Sequence, residues 1–213
     1  METLDRLPVW AHQIVIVALG VGGYTVRSVF PAATILCKPN IPLTPMRFSL
    51  IDRIEYLEPG KRITAIKNLT MAEEYLADHF PQFPVMPGVL MVEAMTQAGA
   101  WLVRASEDFA HSMVVLKEVR GVKYGQFVEP GQTLRVVVDI VSQTDRETEV
   151  KARGIVDGRT TVNGRLVLAR YDLADTHPQQ AATDALVRRE MRELFGLLYR
   201  PAGPDGAECP PTD

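Results

Sequence analysis

One segment constrains the fold more than any other part of the chain: a helix-length run that is apolar on every side. Residues 89–103 read "VLMVEAMTQAGAWLV", and Leu, Met, Val, Ala, Gly or Trp occupy nearly every position. A helix that is hydrophobic all round is buried all round. The rest of the chain must therefore wrap this helix in a curved sheet, or hold it between a sheet and a second subunit.

Two polar residues with long side chains interrupt this apolar run. Glu93 and Gln97 lie four positions apart, so they share one face of the predicted helix. Buried polar groups need partners, because an unpaired one costs free energy. Glu93 is therefore a candidate functional acid, with a structural ion pair to an arginine as the alternative. Gln97 is a candidate substrate-binding residue, with structural hydrogen bonding as the simpler interpretation.

The segments on both sides of the helix predict β-strands. Residues 47–57 and 61–70 precede it, and four or five runs rich in Val, Thr and Ile follow it between residues 112 and 172. The separators "EPG", "EPGQ", "QTDRE" and "VDGR" are turn signals at hairpin spacing. Short turns imply an antiparallel sheet, and one helix among such strands implies an α+β domain, which we place at residues 46–172.

Both ends of the chain are predicted to lie outside this domain. Residues 173–213 contain an amphipathic helix, with Thr183 as its expected N-cap, followed by a tail that should be disordered. Residues 1–45 lack globular patterning, and we expect them to be an upstream extension of a reading frame that begins at Met46. Their apolar stretch at residues 14–26 is too short to span a membrane, so we expect no stable membrane insertion.

Composition narrows the functional classes. The chain has 213 residues, is 46% hydrophobic and 23% charged, and carries a formal net charge of −3, which disfavours a nucleic-acid partner. Cys37 and Cys209 belong to no metal-ligand or disulfide pattern. We therefore expect a cytoplasmic protein without a metal.

The stretch before the helix, "DHFPQFPVMPG" at residues 78–88, has a proline at every third position. Proline fixes φ and biases the preceding residue towards extended conformations, so we expect a stiff, extended connector over residues 80–86. Pro87 falls where the first helical residue should be. Such a connector holds His79 close to the start of the buried helix.

These residue types suit proton chemistry beside a carbonyl group. The backbone N–H groups of Gly88 and Val89 lack intrahelical acceptors and can hold a developing oxyanion. His79 is a candidate general base. Glu93 is a candidate general acid, because burial among apolar side chains favours the neutral carboxyl. On a 3-hydroxyacyl thioester, this set would remove the α-proton while the hydroxyl leaves as water.

The run "HFPQFPVMPGVLMVEAMTQAG" at residues 79–99 resembles the signature of the 3-hydroxyacyl-(acyl-carrier-protein) dehydratases of bacterial fatty-acid synthesis, the Z-type branch of the hot-dog fold. The similarity extends from "RFSLIDRIEYLEPGKRITAIKN" through "KYGQFVEPGQTLRV" to about Asp172. It implies a trans-2-enoyl product on acyl carrier protein, formed without a cofactor. It also implies that His79 and Glu93 are the catalytic pair, contributed by neighbouring subunits of a homodimer, or of a hexamer built as a trimer of dimers.

Further candidates come from the surroundings of this signature. Phe80 and Phe83 are candidates for lining an acyl tunnel, with ordinary packing as the alternative. Tyr124 and Phe127 are candidates for gating that tunnel. Three cations are candidates for docking the acidic carrier, on charge alone: Lys117, Arg120 and Lys123.

Two rival functions stay open at this level. The first is an acyl thioesterase of the same fold, which would release a free thiol. The second is a non-catalytic partner that binds acyl carrier protein within a lipid synthase. The chain also departs from the family pattern, with Asp78 at a usual glycine and Phe83 at a usual second histidine. Glu93 stands where the dehydratase-isomerase branch carries Asp, which disfavours isomerisation.

Overall fold

The computed structural model describes residues 48–200, which form a sheet and two long helices. The strands are β1 (Arg53–Glu58), β2 (Arg62–Asn68), β3 (Met113–Tyr124), β4 (Thr133–Gln143), β5 (Glu147–Val156) and β6 (Arg159–Tyr171). The α-helices are α1 (Gly88–Ser106) and α2 (Ala181–Leu198), and 3₁₀ turns occupy Glu74–Ala77, Leu173–Asp175 and Pro178–Gln180. The predicted N-terminal extension, the start at Met46 and the tail at residues 201–213 lie outside the described residues.

The sheet is antiparallel throughout and has the strand order β1-β2-β4-β5-β6-β3. Short turns join β1 to β2, β4 to β5 and β5 to β6, as the turn signals predict. Register shifts interrupt four of the five strand pairs. Bulges of this kind bend strands, so the sheet curves around α1. The predicted α+β architecture, with one long helix inside a curved antiparallel sheet and a further C-terminal helix, is confirmed.

One edge strand differs from the sequence-based expectation. Most of the run "SMVVLKEV" and the first four residues of "GVKYGQFVEPG" form a single strand, β3, and not two separate strands, while residues 125–131 lie beyond its end. The pairing of β3 with β6 shifts between Arg120 and Lys123. Gly121, at φ 59°, lies inside this shift. A glycine adopts this left-handed backbone without the steric cost of a side chain, so the chain bends here and the strand continues.

The helix α1 forms the centre of the core. Met95, Ala98 and Leu102 have no exposed surface, and burial of each large aliphatic side chain contributes roughly 1.5–3 kcal/mol. Gly99 allows close contact with the sheet, since a Cβ atom there would lie 3.0 Å from Cδ1 of Leu168. Although α1 is apolar, no helix among the described residues has the length and hydropathy needed to cross a membrane.

The C-terminal helix α2 packs on the domain through aromatic side chains. The ring of Phe195 lies 6.1 Å from Trp101 of α1, 5.5 Å from Phe109 and 5.6 Å from Tyr199, measured between ring centroids. Tyr199 also forms an isolated parallel bridge with Ile54 of β1. The apolar stripe of the predicted helix therefore covers one end of α1.

The start of α2 corrects one sequence-based expectation. The helix begins at Ala181, two residues before Thr183, so Thr183 is not its N-cap. Asp184 organises this region instead: its buried carboxylate accepts hydrogen bonds from the backbone N–H groups of Leu173 and Ala174, both at 2.9 Å, and from the hydroxyl of Ser112. Side-chain carboxylates often accept hydrogen bonds from backbone N–H groups in turns. Here the carboxylate of Asp184 bonds to the turn before α2 and not to the first N–H groups of the helix.

Candidate active site

The segment that carries His79 is anchored to the sheet before the loop begins. Lys67, which is buried in β2, forms ion pairs with Glu73 at 2.7 Å and with Asp52 at 3.4 Å. The 3₁₀ turn at Glu74–Ala77 follows directly, and the backbone N–H of His79 donates to the carbonyl oxygen of Tyr75 at 3.1 Å. The main chain at His79 is therefore fixed from its N-terminal side.

The loop after His79 is more compact than predicted. The N–H of Phe83 donates to the carbonyl oxygen of Phe80 at 2.9 Å, which closes a turn with Pro81 at its second position. Proline favours that position because its fixed φ matches the turn. The predicted extended connector over residues 80–86 is therefore wrong in its first half. A turn shortens the path, and the N–H of Val85 donates back to the carbonyl oxygen of His79 at 3.3 Å.

The imidazole of His79 is oriented by the same loop. Its Nδ1 atom lies 3.1 Å from the carbonyl oxygen of Val85. A carbonyl oxygen only accepts hydrogen bonds, so Nδ1 must carry the proton in this contact. The neutral ring then has an unprotonated Nε2 atom. This tautomer is the one that a general base acting through Nε2 requires.

The start of α1 lies beside this histidine. Pro87 (φ −54°, ψ 135°) precedes the helix as its N-cap, one position earlier than predicted, and no side chain caps this end. The N–H groups of Leu90 and Met91 donate to the carbonyl oxygen of Pro87. The N–H groups of Gly88 and Val89 come earlier and have no acceptor within the helix. They are available to an anion or to a polarised carbonyl oxygen.

Gly88 also lies against an aromatic ring. A Cβ atom at this position would lie 2.8 Å from Cε1 of Tyr124, which is closer than van der Waals contact allows. The ring of Tyr124 can therefore cover the helix start only because residue 88 is a glycine. Burial raises the pKa of the Tyr124 hydroxyl above its usual range. Tyr124 is thus a neutral, partly exposed side chain beside the helix start.

A cavity of about 1020 Å³ joins these groups. That volume lies at the upper end of the range for small-molecule sites, and the walls are mainly apolar. The predicted site residues among its lining are His79, Phe80, Gly88, Val89, Tyr124 and Phe127. Phe83 contacts the site through Phe127, with the two rings edge to face at 5.7 Å between centroids.

Glu93 and Gln97 lie apart from this cavity, since neither belongs to the described residues that line it. Gln97 donates to Oε1 of Glu93 at 3.0 Å. Burial raises the pKa of Glu93 to about 7, and the hydrogen bond from Gln97 partly opposes that shift. Within the described chain, Glu93 is therefore a carboxyl group with a pKa close to 7, but it does not line the cavity that contains His79.

The predicted cations occupy one edge strand. Lys117 forms an ion pair with Glu147, and Arg120 forms two hydrogen bonds with the carboxylate of Glu118, at 2.7 and 2.8 Å. Lys123 is exposed and precedes Tyr124 of the cavity wall. Of the three cations, Lys123 is therefore next in sequence to a residue of the cavity wall.

Sequence analysis missed the polar residues of the cavity wall, which are Gln126, Glu129, Gln132, Asp157 and Arg159. Two of them follow β5: Asp157 lies in the β5–β6 turn, and Arg159 is the first residue of β6. In the sequence they belong to "VDGR", a general hairpin signal. Their proximity to the helix start arises from the pairing of β6 with β3, in which Tyr124 lies opposite Val162. No local pattern carries that information.

Comparison with known proteins places this geometry in context. The chain is 44% identical over 94 residues to the 3-hydroxyacyl-[acyl-carrier-protein] dehydratase FabZ of Clostridium kluyveri, a match that covers 44% of this chain and 65% of the relative, just under two thirds of its length. It is 35% identical over 122 residues to the FabZ dehydratase of Ruminiclostridium cellulolyticum, which covers 57% of this chain and 86% of that relative.

A solved structure shares the fold. It is the dehydratase heterocomplex ApeI:P from Xenorhabdus doucetiae, with 16% sequence identity, a TM-score of 0.52, and coverage of 62% of this chain and 90% of that one. The hot-dog fold is thereby confirmed. The model of the FabA-like domain matches residues 42–170, which include the His79 loop, α1 and nearly the whole sheet. This chain therefore belongs to the FabA-like domain family.

Proposed function

We propose that this protein dehydrates 3-hydroxyacyl chains carried on acyl carrier protein to trans-2-enoyl chains in fatty-acid synthesis. The observation that carries the proposal is the His79–Val85 contact, which in the neutral ring makes Nε2 the proton-accepting nitrogen, on a histidine that lines a large apolar cavity beside an uncapped helix start. Both FabZ relatives are 3-hydroxyacyl-[acyl-carrier-protein] dehydratases, which supports the same reaction. Residues 46–172 form the domain that performs this reaction. The protein acts in the cytoplasm.

The reaction begins at the carbon next to the thioester carbonyl. Nε2 of His79 takes the α-proton, and the ring becomes a cation. The positive charge strengthens the hydrogen bond from Nδ1 to the carbonyl oxygen of Val85, since hydrogen bonds from charged donors are stronger. The loop that orients His79 thus also stabilises its protonated form.

The thioester oxygen gains negative charge as the α-proton leaves. Gly88 and Val89 line the cavity, and their N–H groups belong to the first turn of α1, at the positive end of the helix dipole. Two such donors stabilise the developing enolate, and loss of one donor in comparable sites costs about 3 kcal/mol of transition-state stabilisation. Backbone donors suit this role because their positions are fixed before the reaction.

Glu93 completes the reaction. Its carboxyl group gives a proton to the β-hydroxyl while the C–O bond breaks, so water leaves and a carbon–carbon double bond forms. With a pKa of about 7, a large fraction of Glu93 is protonated at neutral pH. His79 then releases its proton to solvent and Glu93 takes one up, so both groups return to their starting forms. No oxidant or cofactor is consumed.

The acid acts across a subunit interface. Within one chain, Glu93 does not belong to the described lining of the His79 cavity. We therefore assign the proton donor to Glu93 of the partner subunit, in a homodimer or in a hexamer built from three such dimers. This arrangement also explains why four large aromatic side chains near the cavity are between 46% and 60% exposed in the single chain: Phe80, Phe83, Tyr124 and Phe127.

The aromatic side chains near the cavity bind the acyl chain of the substrate. Phe80 and Phe127 line the cavity and Phe83 supports Phe127, so together they form an apolar wall for the hydrocarbon. Tyr124 lies over Gly88 and acts as a gate at the helix start. Movement of this one ring would expose the N–H groups that hold the thioester oxygen.

The carrier docks on the positively charged face beside the cavity. Arg120 of β3 lies directly opposite Arg165 of β6, which lies opposite Lys151 of β5. Arg120 pairs with Glu118 and Arg165 pairs with Glu149 within the chain, and an acidic partner further offsets the repulsion between these neighbouring cations. Lys123 and Arg159 extend this face to the cavity, while Lys117 lies in the first half of β3, farther from Tyr124, and is paired with Glu147.

A single assay separates the proposed function from its rivals. Hydration of a trans-2-enoyl thioester is followed by the loss of enoyl absorbance, while a thiol reagent detects any released thiol in the same sample. The dehydratase assignment predicts loss of absorbance without thiol. Release of thiol would identify a thioesterase, and absence of both signals would leave a carrier-binding role.

A further inference from the structure

We propose that Gln97 is a positioning residue for the proposed reaction: it fixes the side chain of Glu93 and places the acidic proton on Oε2. The inference rests on the proposed function for its catalytic meaning, but its geometry stands independently. Gln97 is 8% exposed, and its amide forms three hydrogen bonds within the chain.

The orientation of the Gln97 amide follows from its neighbours. The backbone N–H of Leu50 donates to Oε1 of Gln97 at 2.9 Å. An N–H group only donates, so the amide oxygen must face Leu50 and the amide nitrogen must face the other way. On that side Nε2 donates to the carbonyl oxygen of Phe48 at 3.1 Å and to Oε1 of Glu93 at 3.0 Å. Both amide protons are therefore in use.

This arrangement determines where Glu93 carries its proton. Oε1 already faces an N–H donor, so the proton of the neutral carboxyl belongs on Oε2, the oxygen that Gln97 leaves free. A donor also favours the ionised carboxylate, which opposes the effect of burial on the pKa. Among residues 48–200 no cation is paired with Glu93. Within the described residues, the hydrogen bond from Gln97 is thus the polar contact that opposes the rise in the pKa of Glu93 caused by burial.

Gln97 also connects the site to the point where the chain enters the domain. Phe48 and Leu50 precede β1, and both are bonded to the same amide. A substitution at Gln97 can therefore reduce stability and alter Glu93 independently. The test must separate these two effects.

Two variants make that separation. Gln97→Glu keeps an oxygen for the N–H of Leu50 but replaces the amide donor with a second carboxyl oxygen. Gln97→Met removes both functions. Thr96→Val is the matched control, because Thr96 is also buried on α1 and, within the described part of the chain, its hydroxyl donates to the carbonyl oxygen of Val92 and contacts neither Glu93 nor Gln97 through a hydrogen bond.

The readouts are the pKa of Glu93, measured by NMR titration of labelled carboxyl carbons with Glu93→Gln for assignment, and the kinetics of enoyl-thioester hydration. Both Gln97 variants should raise the pKa of Glu93, move the alkaline limb of the pH profile to higher pH, and lower kcat at least about tenfold with KM changed less than about twofold. Thr96→Val should change none of these.

The opposite results would overturn the inference. If a folded Gln97→Glu protein keeps the wild-type pKa of Glu93, the wild-type pH profile and the wild-type kcat, Gln97 is a structural residue only. If Gln97→Met fails to fold, Gln97→Glu decides alone. Wild-type protein that hydrates no enoyl thioester would refute the proposed function, while the NMR titration would still test the contact between Gln97 and Glu93.

Discussion

The carbonyl oxygen of Val85 lies 3.1 Å from Nδ1 of His79, across a loop that the two residues themselves close. This contact determines the tautomer of the imidazole and therefore which nitrogen can accept a proton. It also joins the conformation of the loop to the chemistry of the site. A substitution that changes the turn in this loop should therefore change the orientation of the His79 imidazole while the overall fold is retained.

Loss of the imidazole should abolish most activity. His79→Ala removes the base and should lower kcat/KM for hydration by about 10²–10⁴-fold, with little change in melting temperature because the side chain is partly exposed. His177→Ala is the control, since His177 is an exposed histidine that precedes a 3₁₀ turn before α2. Equal activity of the two variants would remove His79 from the mechanism.

The buried acid should make stability depend on pH. Its pKa is about 7 in the folded protein, against an ordinary value of 4.5. The folded state thus binds the proton more tightly, so the contribution of Glu93 to stability is complete below pH 4.5 and is lost as pH rises through 7. Between pH 4.5 and pH 8, wild type should lose about 3 kcal/mol relative to Glu93→Gln in the free energy of unfolding.

Denaturant titrations at several pH values measure this difference. Glu74→Gln is the control, because Glu74 is an exposed glutamate and should lose no stability relative to wild type over the same range. A constant difference between wild type and Glu93→Gln would show that Glu93 is not protonated by burial in the folded protein.

The fit between Gly88 and Tyr124 should appear as an energetic coupling. Gly88→Ala places a methyl group 2.8 Å from the Tyr124 ring, so it should displace the ring and reduce activity. The substitution should be much less harmful in a Tyr124→Ala background, with an interaction energy of about 0.5–3 kcal/mol in a double-mutant cycle on kcat/KM. Gly196→Ala, where a Cβ atom meets nothing within 4 Å, is the control. Strictly additive effects would contradict the contact.

The anchor of α2 should be important for stability but not for catalysis. Burial opposes ionisation of Asp184, but hydrogen bonds from Ser112 and from the N–H groups of Ala174 and Leu173 outweigh it and lower its pKa. Its stabilising effect is therefore present at neutral pH and is lost as pH falls through the lowered pKa. Asp184→Ala should lower the free energy of unfolding by about 2–4 kcal/mol at pH 7.

The control for this prediction lies on the same helix. Glu193 is largely exposed and, among residues 48–200, pairs with Arg189 alone, so Glu193→Ala should change stability by less than about 0.5 kcal/mol. If Asp184→Ala is equally mild, the aromatic contacts of α2 and the bonds that Arg188 and Arg192 form with Asp172 and Asp108 hold the helix without Asp184.

The site was predictable where its residues are close in sequence. The apolar run of α1 indicated burial on every side, and His79, Gly88 and Glu93 belong to one continuous segment whose chemistry can be read directly. The turn at Phe80–Phe83 was not predicted, because proline spacing restricts φ but does not determine which carbonyl oxygen accepts a hydrogen bond.

Other features depend on long-range pairing. Asp157 and Arg159 reach the cavity through strand register, and Asp184 draws its donors from Ser112 and from residues 173–174. A turn signal or an amphipathic helical pattern does not specify which distant residues the segment will contact in the folded protein. Such contacts are therefore visible only once the sheet is assembled.

Mixing two inactive variants tests the central claim most directly, because it asks whether His79 and the partner subunit's Glu93 form one site. His79→Ala and Glu93→Gln proteins are dissociated, mixed in equal amounts and reassociated, and enoyl-thioester hydration is measured. Half of the dimers should be mixed, each with one intact site of two, so about a quarter of wild-type activity should return. Activity that stays at the level of the separate variants would contradict a site shared between subunits.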